Sequence, residues 1–338
     1  MERVRFGRTE LQVSRIAFGG IPIMRLPLED AVEIVREALR LGINFIDTAN
    51  SYTDSEIKIG AAIRGIPRDE LIIATKSGAK DKQTLSEHLD KSLRQLGVEH
   101  IDIYQLHNIT AEKRHAVFAP GGAYEGLLEA IQAGKVRFPA FSSHSIDTAI
   151  DIMKENRFDV VQLAFNYIDT MAAAVAIPLA KDLDMGFLSM KPMGGGMLYD
   201  AGLSFRYLMQ YDSIVPDPGI EKIEEIREIV AIISERQALT DDDKARIEQL
   251  RAELGDTWCH RCDYCQPCLQ GIPINTALST RSFLRRTSIE GAMAWTGQAI
   301  ELAKGCTQCR ECMARCPYGL DIPTLLKERI AFWEEHAR

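Results

Sequence analysis

The chain lacks any apolar run near the ~20 residues needed to cross a bilayer. Its first residues, Met1-Glu2-Arg3-Val4-Arg5, lack the apolar stretch of a secretory leader. The expectation is a cytoplasmic protein with no membrane partner. No block of like charge stands out either. The net charge of −8 is spread along the chain, which argues against nucleic acid or an anionic membrane as a partner. No G-x-G-x-x-G opens the first helix, which argues against a Rossmann dinucleotide site. No cysteine precedes Cys259, the first of eight. In a reducing compartment such clustering points to metal rather than disulfides. What the chain does have is apolar residues for a real core, 46% of 338. That length allows one large domain or two unequal ones.

A short hairpin is expected over residues 1–20, turning at Gly7-Arg8-Thr9-Glu10, before a strand at 15–18. Strand and helix then alternate. Strands are predicted at 43–46, 71–75, 101–106, 136–141, 160–164, 186–190 and 213–215. Helices are predicted at 29–41, 55–63, 83–96, 124–132, 146–155, 172–182, 203–210 and 220–233, with 107–120 as a long loop. Such alternation implies parallel strands with helices outside. Eight units in ~230 residues match a (β/α)8 TIM barrel, with a doubly wound open sheet as the alternative. A charged helix at 241–254 and a terminal helix at 324–338 flank the cysteine region. The division is therefore a barrel at 1–240 and a small α-helical, ferredoxin-like iron–sulfur domain at 241–338.

Four titratable residues fall at the ends of successive predicted strands. Asp47 and Tyr52 follow the second, in Gly42-Ile43-Asn44-Phe45-Ile46-Asp47-Thr48-Ala49-Asn50-Ser51-Tyr52. Lys76 ends the third and His107 the fourth. Taken singly, each is more often a cap, a packing residue or a solvated loop residue. In register they converge on the mouth where barrels do chemistry. They suit proton delivery to a carbonyl oxygen as hydride reaches its carbon. A free phenol, with a pKa of ~10, is a weak acid. An ammonium beside it favours the phenolate, a buried carboxylate keeps that ammonium charged, and a histidine holds the oxygen or shares the proton.

Gly42–Tyr52, the strand ending in Lys76, and Tyr104-Gln105-Leu106-His107 resemble the aldo/keto reductase family over roughly residues 1–235. The resemblance implies that Tyr52 is the general acid, Lys76 tunes it, Asp47 anchors Lys76 and His107 positions the carbonyl. It also implies an extended nicotinamide cofactor, NAD(P)(H). By position, Ser142 would hold the carboxamide, with Ser143 in place of the usual Asn. Gln162 matches the family's carboxamide-binding Gln. Met190 stands where many members stack a Tyr on the ring, and Lys191 where Ser is common. Gly194, Gly195 and Gly196 would let the backbone approach the pyrophosphate. The adenosine end would lie near Gly219 and Lys222, among glutamates that disfavour a 2′-phosphate.

Cys259, Cys262, Cys265 and Cys268 are evenly spaced by three. Cys306, Cys309, Cys312 and Cys316 follow C-x2-C-x2-C-x3-C, with Pro317 next. The second run is the bacterial ferredoxin signature for [4Fe–4S] ligation, in which the fourth Cys serves the other cluster. That pairing would give one cluster Cys259, Cys262, Cys265 and Cys316, and the other Cys306, Cys309, Cys312 and Cys268. Two clusters are expected rather than zinc, which favours two separated pairs. His260 reads as a turn residue, with a Rieske-like ligand as the alternative. The two runs look like the dicluster ferredoxin module of one bacterial branch of the aldo/keto reductases. Leu269 departs from that branch, which has Pro there.

The expected function is hydride transfer between a nicotinamide and a small-molecule carbonyl or alcohol, linked to iron–sulfur electron transfer. Hydride carries two electrons and a cluster one, so a junction needs a flavin. Either FMN occupies the barrel phosphate site, or the clusters serve a one-electron donor or acceptor protein. The alternative is a redox-sensing or electron-transfer protein with a quiet barrel. The stretch 107–120, with Lys113, Arg114 and His115, reads as a solvated charged face, or as an attractor of anionic substrates.

Overall fold

A computed structural model describes residues 1–255 and 257–336. They form two compact units. One comprises residues 1–194 and 198–238, the other 195–197 and 239–338. No helix among the described residues is long and apolar enough to cross a membrane.

The first unit is a (β/α)8 barrel. An antiparallel hairpin, β1 (Arg3–Arg5) with β2 (Gln12–Ser14), precedes it. Eight parallel strands follow: β3 (Phe18–Gly19), β4 (Phe45–Asp47), β5 (Ile72–Ser77), β6 (Ile101–Leu106), β7 (Val136–Ser142), β8 (Val160–Ala164), β9 (Gly186–Met190) and β10 (Ile214–Asp217). Each pairs with the next in sequence. The ring closes between the last and the first, where Gly19 bridges Gly219 and the Gly19 N–H donates to Pro218 O at 2.9 Å. Gly19 is required there, because a Cβ would lie 2.7 Å from that same carbonyl oxygen.

The strands form because apolar residues fill both faces, as expected of parallel strands buried on each side. β5 and β6 are buried along their whole length. Helices form where one face is apolar and the ends are capped. In Lys82–Leu96, Leu85, Leu89 and Leu96 are buried, the Asp81 side chain accepts from the Thr84 N–H, and Gly97 closes the helix in the left-handed region.

The barrel interior is a dry apolar cluster that includes Phe45, Ile72, Ile103, Val160, Leu188 and Val215. Phe6 of the hairpin plugs its floor, edge-on to Phe45 at 5.4 Å. At 2% exposure, Phe6→Ala opens a cavity of aromatic size. The expected loss is about 3–5 kcal/mol, read by urea unfolding followed by far-ultraviolet circular dichroism. A loss below about 1 kcal/mol would show that the floor collapses around the gap.

The stretch 107–120 is not all loop. It holds a helix at Ala111–Phe118, capped by Thr110. The predicted helix 172–182 is broken at Val175 into Met171–Ala174 and Ala176–Asp182. In the second unit, helices Asp241–Leu254 and Ile322–His336 bracket the cysteine runs. The last two residues of the predicted terminal helix, 337–338, lie outside the described residues. An apolar core that includes Ile272, Ile274, Leu320, Leu325 and Trp333 also takes in Cys265 and Cys312.

Candidate active site and cysteine centres

Above the apolar interior lies a layer of buried polar side chains, each from the end of a different strand. Asp47, Lys76, Gln105, Gln162 and Asp217 are all at most 8% exposed. The Lys76 ammonium donates to Asp47 Oδ2 at 2.5 Å and to Thr48 O at 2.6 Å. Gln105 Nε2 donates to Asp47 Oδ1 at 3.0 Å. Gln162 Nε2 lies between two carboxyls, 3.2 Å from Asp47 Oδ2 and 3.0 Å from Asp217 Oδ2. Lys76 Nζ also stands 5.3 Å from the Tyr52 ring centroid. The rings of Tyr52 and His107 meet edge-on, 6.0 Å apart. The four residues singled out after successive strands thus share one mouth.

Electrostatics follows from this packing. Burial opposes the charge on Lys76, but Asp47, Tyr52 and Asp217 outweigh it and its pKa is raised. His107 is pushed down to about 3 by burial, then by the Lys76 and Lys113 ammonium groups. Its imidazole is therefore neutral throughout the physiological range. Asp217 is pushed well above the usual carboxylate range, by burial first and then by the charge of Asp47.

The residues assigned to a nicotinamide lie on the same rim and beyond it. Ser142 Oγ accepts from the Asn108 N–H at 2.9 Å. Ser143 Oγ donates to Ile109 O at 2.8 Å. Met190 ends β9, paired in register with Ala164 and Asp217. Lys191 is left-handed, with Nζ 3.2 Å from His144 Nδ1. Gly194, Gly195 and Gly196 all have positive φ, from 58° to 83°. Gly195 groups with the second unit, where its carbonyl accepts from Ser282. Gly219 sits at the barrel seam, and Lys222 caps the helix Ile223–Glu235. Glu225 accepts from the N–H groups of Glu221 and Lys222, and Arg25 pairs with Glu221 at 3.2 Å. The buried Gln162 amide and the Ser142 and Ser143 hydroxyls at the mouth fit a nicotinamide carboxamide, whereas Gly195 and Gly196 lie against Ser282 and Arg286 within the second unit.

Asp217 and Gln105 are two site residues that the sequence reading passed over. A carboxylate ending Ile214-Val215-Pro216-Asp217 carries the same signal as Asp47, but the predicted strand stops at Val215. Gln105 lay inside an apolar strand and carried no signal of its own.

In the second unit, Cys268, Cys306, Cys309 and Cys312 line one cleft. The last thiol of the first run therefore faces three of the second. Cys265 is a neighbour of Cys259 and Cys262 as well as of Cys312. As free thiols, Cys265 is pushed up to about 12 and Cys312 also upward, burial being the first cause of each. Ligation to iron removes those protons outright. The second cysteine of each run has a left-handed residue on both sides, Arg261 and Asp263 around Cys262, Gln308 and Arg310 around Cys309. Changes of hand of this kind make N–H groups converge on an anion. Among the described residues no group of three or more His, Cys, Asp or Glu converges as a single metal ion would need. A cubane takes its thiolates at separate corners, and the donor set fits one.

Two residues of the second run's segment, Arg315 and Tyr318, tie it to the first, and Gln266 braces the first run from within. Arg315 donates to Cys265 O at 3.0 Å and to Pro267 O at 2.8 Å. His260 stacks on Tyr318 at 3.7 Å. Gln266 accepts from the Cys268 N–H and donates to Ile272 O, both at 2.9 Å, which fixes the turn that carries Cys268.

Parallel strands closed into a ring, with a buried ion pair and a phenol at its mouth, define the class as a (β/α)8 barrel. Residues 15–204 match the model of the aldo/keto reductase family, and the chain belongs to that family. Residues 258–321 match a 4Fe-4S dicluster domain. Among curated relatives, the chain is 29% identical to L-galactose dehydrogenase of Arabidopsis thaliana over 58% of its own length and 66% of that protein's. It is 25% identical to NADH-specific methylglyoxal reductase of Escherichia coli over 59% and 69% of the two chains. It is 30% identical to the uncharacterised oxidoreductase YrpG of Bacillus subtilis over 59% and 68%. Two solved structures share the fold, each with a TM-score of 0.64 over 74% of this chain. One is aldo-keto reductase AKR11C1 from Bacillus halodurans, 23% identical and 96% covered. The other is a Klebsiella pneumoniae aldo/keto reductase in complex with NADP and acetate, 19% identical and 95% covered.

Proposed function

We propose that the barrel reduces a small carbonyl compound with a nicotinamide, and that the appended domain holds two [4Fe–4S] clusters. One arrangement carries this reading: Lys76, held at 2.5 Å by Asp47, stands 5.3 Å from the Tyr52 ring at the mouth of a family barrel. A bound nicotinamide supplies the hydride. Tyr52 gives its phenolic proton to the carbonyl oxygen, and Lys76 stabilises the negative charge left on the phenol oxygen. His107, being neutral, offers a hydrogen bond to that oxygen rather than a charge. Gln162, Ser142 and Ser143 orient the carboxamide.

The reduced cofactor is NADH rather than NADPH. The adenosine end is edged by Glu221 and Glu225; of its nearby cations, Arg25 is already paired with Glu221 and Lys222 stands close to the same carboxylate. A 2′-phosphate would meet like charge there. The Escherichia coli relative is likewise named as NADH-specific. The clusters exchange single electrons with a separate carrier protein, since hydride and single-electron chemistry do not meet directly without a flavin.

The test is an anaerobic panel of small aldehydes and ketones with each nicotinamide, beside a visible spectrum of the purified protein. The expected result is NADH oxidation with kcat/KM at least about tenfold above NADPH, the size of one unfavourable charge contact of ~1.4 kcal/mol. A flavin spectrum would move the electron junction into the barrel. Failure to reduce any carbonyl with either cofactor would turn the reading toward an electron-transfer protein with a quiet barrel.

A further inference from the structure

We propose that Asp217 stands at neutral pH as the uncharged carboxylic acid and is a positioning residue for Tyr52, leaving Asp47 as the ion-paired counter-charge of Lys76. This rests on reading Tyr52 as the general acid. The groups around Asp217 are few. From β4 comes Asp47, from β5 Lys76 and from β8 Gln162; Gln105 of β6 donates to Asp47. Its neighbours on β3 and β9, Gly19 and Met190, carry no charge. Tyr52 and His107 stand at the same mouth, with Lys113 acting on His107 and Glu56 on Lys76 from farther out.

With both carboxyls and Lys76 ionised, this buried layer would hold a net negative charge, which low-dielectric surroundings penalise. One proton shared between the carboxyls removes it. Geometry decides which carboxyl carries that proton. Asp47 takes an ammonium and two amide N–H groups. Asp217 takes one amide shared with Asp47, and its Oδ1 is buried with no partner among the described residues. The proton therefore belongs on Asp217, beside the Asp47 carboxylate. The raised pKa of this carboxyl agrees in direction. As pH rises and the proton leaves, a second negative charge reaches Lys76. Less of its positive charge then remains for the Tyr52 phenolate, and Tyr52 becomes a weaker acid.

The sign for stability follows from linkage. An acid whose folded pKa is raised keeps a proton that the unfolded chain has already lost. Stability therefore falls as pH climbs from the ordinary carboxylate range toward the raised value. Asp217→Asn matches the neutral acid in shape and charge and has no such slope. Its melting temperature is expected to exceed wild type by a few degrees at pH 8.5, with the gain shrinking toward pH 5.5. A carboxylate that stabilised the fold would give the opposite, a loss that deepens at alkaline pH.

Infrared spectra of intact holoprotein provide the direct readout. Wild type minus Asp217→Asn at pH 7 should show one protonated-carboxyl band, while Glu56, the other buried acid of raised pKa, cancels. Tyr52 is titrated by ultraviolet difference against Tyr52→Phe. Its ionisation should move down by about half a pH unit or more in Asp217→Asn. Absence of the band, or lower stability of Asp217→Asn at every pH, overturns the neutral acid. An unmoved Tyr52 titration overturns the positioning role. Were Tyr52→Phe to keep full carbonyl reduction, the general-acid reading would fail while the infrared result stood.

Discussion

Tyr52→Phe is expected to lower kcat for NADH-linked carbonyl reduction by about 10²–10⁴, the usual contribution of a general acid. The KM for NADH should change less than about twofold, because an interaction made only in the transition state is lost. The change removes one oxygen and keeps the ring that meets His107 edge-on. Lys76→Met separates acidity from support. Lys76 is 2% exposed, and Asp47 would be left without its ammonium. Breaking one side of a buried pair costs about 3–5 kcal/mol. Lys76→Met should therefore lose both activity and stability, whereas Tyr52→Phe loses activity alone. The pH profile adds a sign. With its pKa at about 3, His107 stays neutral from pH 5 to 9, so no kinetic limb near pH 6.5 belongs to it. Its lowered pKa also makes stability fall as pH drops below about 6.5, where the unfolded histidine gains a proton that the folded one refuses. A Tyr52→Phe variant keeping more than about a tenth of the wild-type rate would place the proton donor elsewhere.

The barrel was legible because alternation of apolar strand and amphipathic helix is a direct imprint of burial, and Asp47 and Lys76 stood out as charges in otherwise apolar strands. What was not legible has physical causes. Pro216 reads as a strand breaker, and Asp217-Pro218-Gly219 reads as a turn, so Asp217 fell outside its strand. Yet β10 runs through Pro216 and delivers Asp217 to the mouth. Gly19 and Gly20 read as an exit from the first strand, whereas β3 occupies Phe18–Gly19 because only glycine admits the Pro218 carbonyl. The helix Ala111–Phe118 has one buried residue, Val117, and no apolar stripe to announce it. Val175 broke a helix that its composition would have continued. The charge state of Asp217 depends on Asp47, Lys76, Gln105 and Gln162 meeting from four other strands, and no local pattern records that.

Cys268→Ala is expected to remove the cluster held by Cys306, Cys309 and Cys312, not the one held by the run to which Cys268 belongs. The cleft joins these four residues, and Arg315 and Gln266 hold the turn of Cys268 in place over it. Spacing agrees, since the fourth cysteine of a ferredoxin run serves the other cluster. Iron content alone cannot distinguish crossed from internal pairing in a single variant, because either loses one cluster, about four irons. Pairs of substitutions do distinguish them. With crossed pairing, Cys268→Ala combined with Cys309→Ala damages one cluster twice and leaves about four irons. Combined with Cys262→Ala, it damages both and leaves none. Internal pairing reverses the two results. The reading also predicts a stability difference. Cys265 and Cys312 lie inside the apolar core of the second unit, and in small domains metal binding and folding are one equilibrium. The variant that loses both clusters should therefore lose the helical signal of residues 239–338 at a lower temperature than the one that keeps a cluster. Equal iron in the two double variants would sink the crossed assignment, whatever the geometry of the cleft.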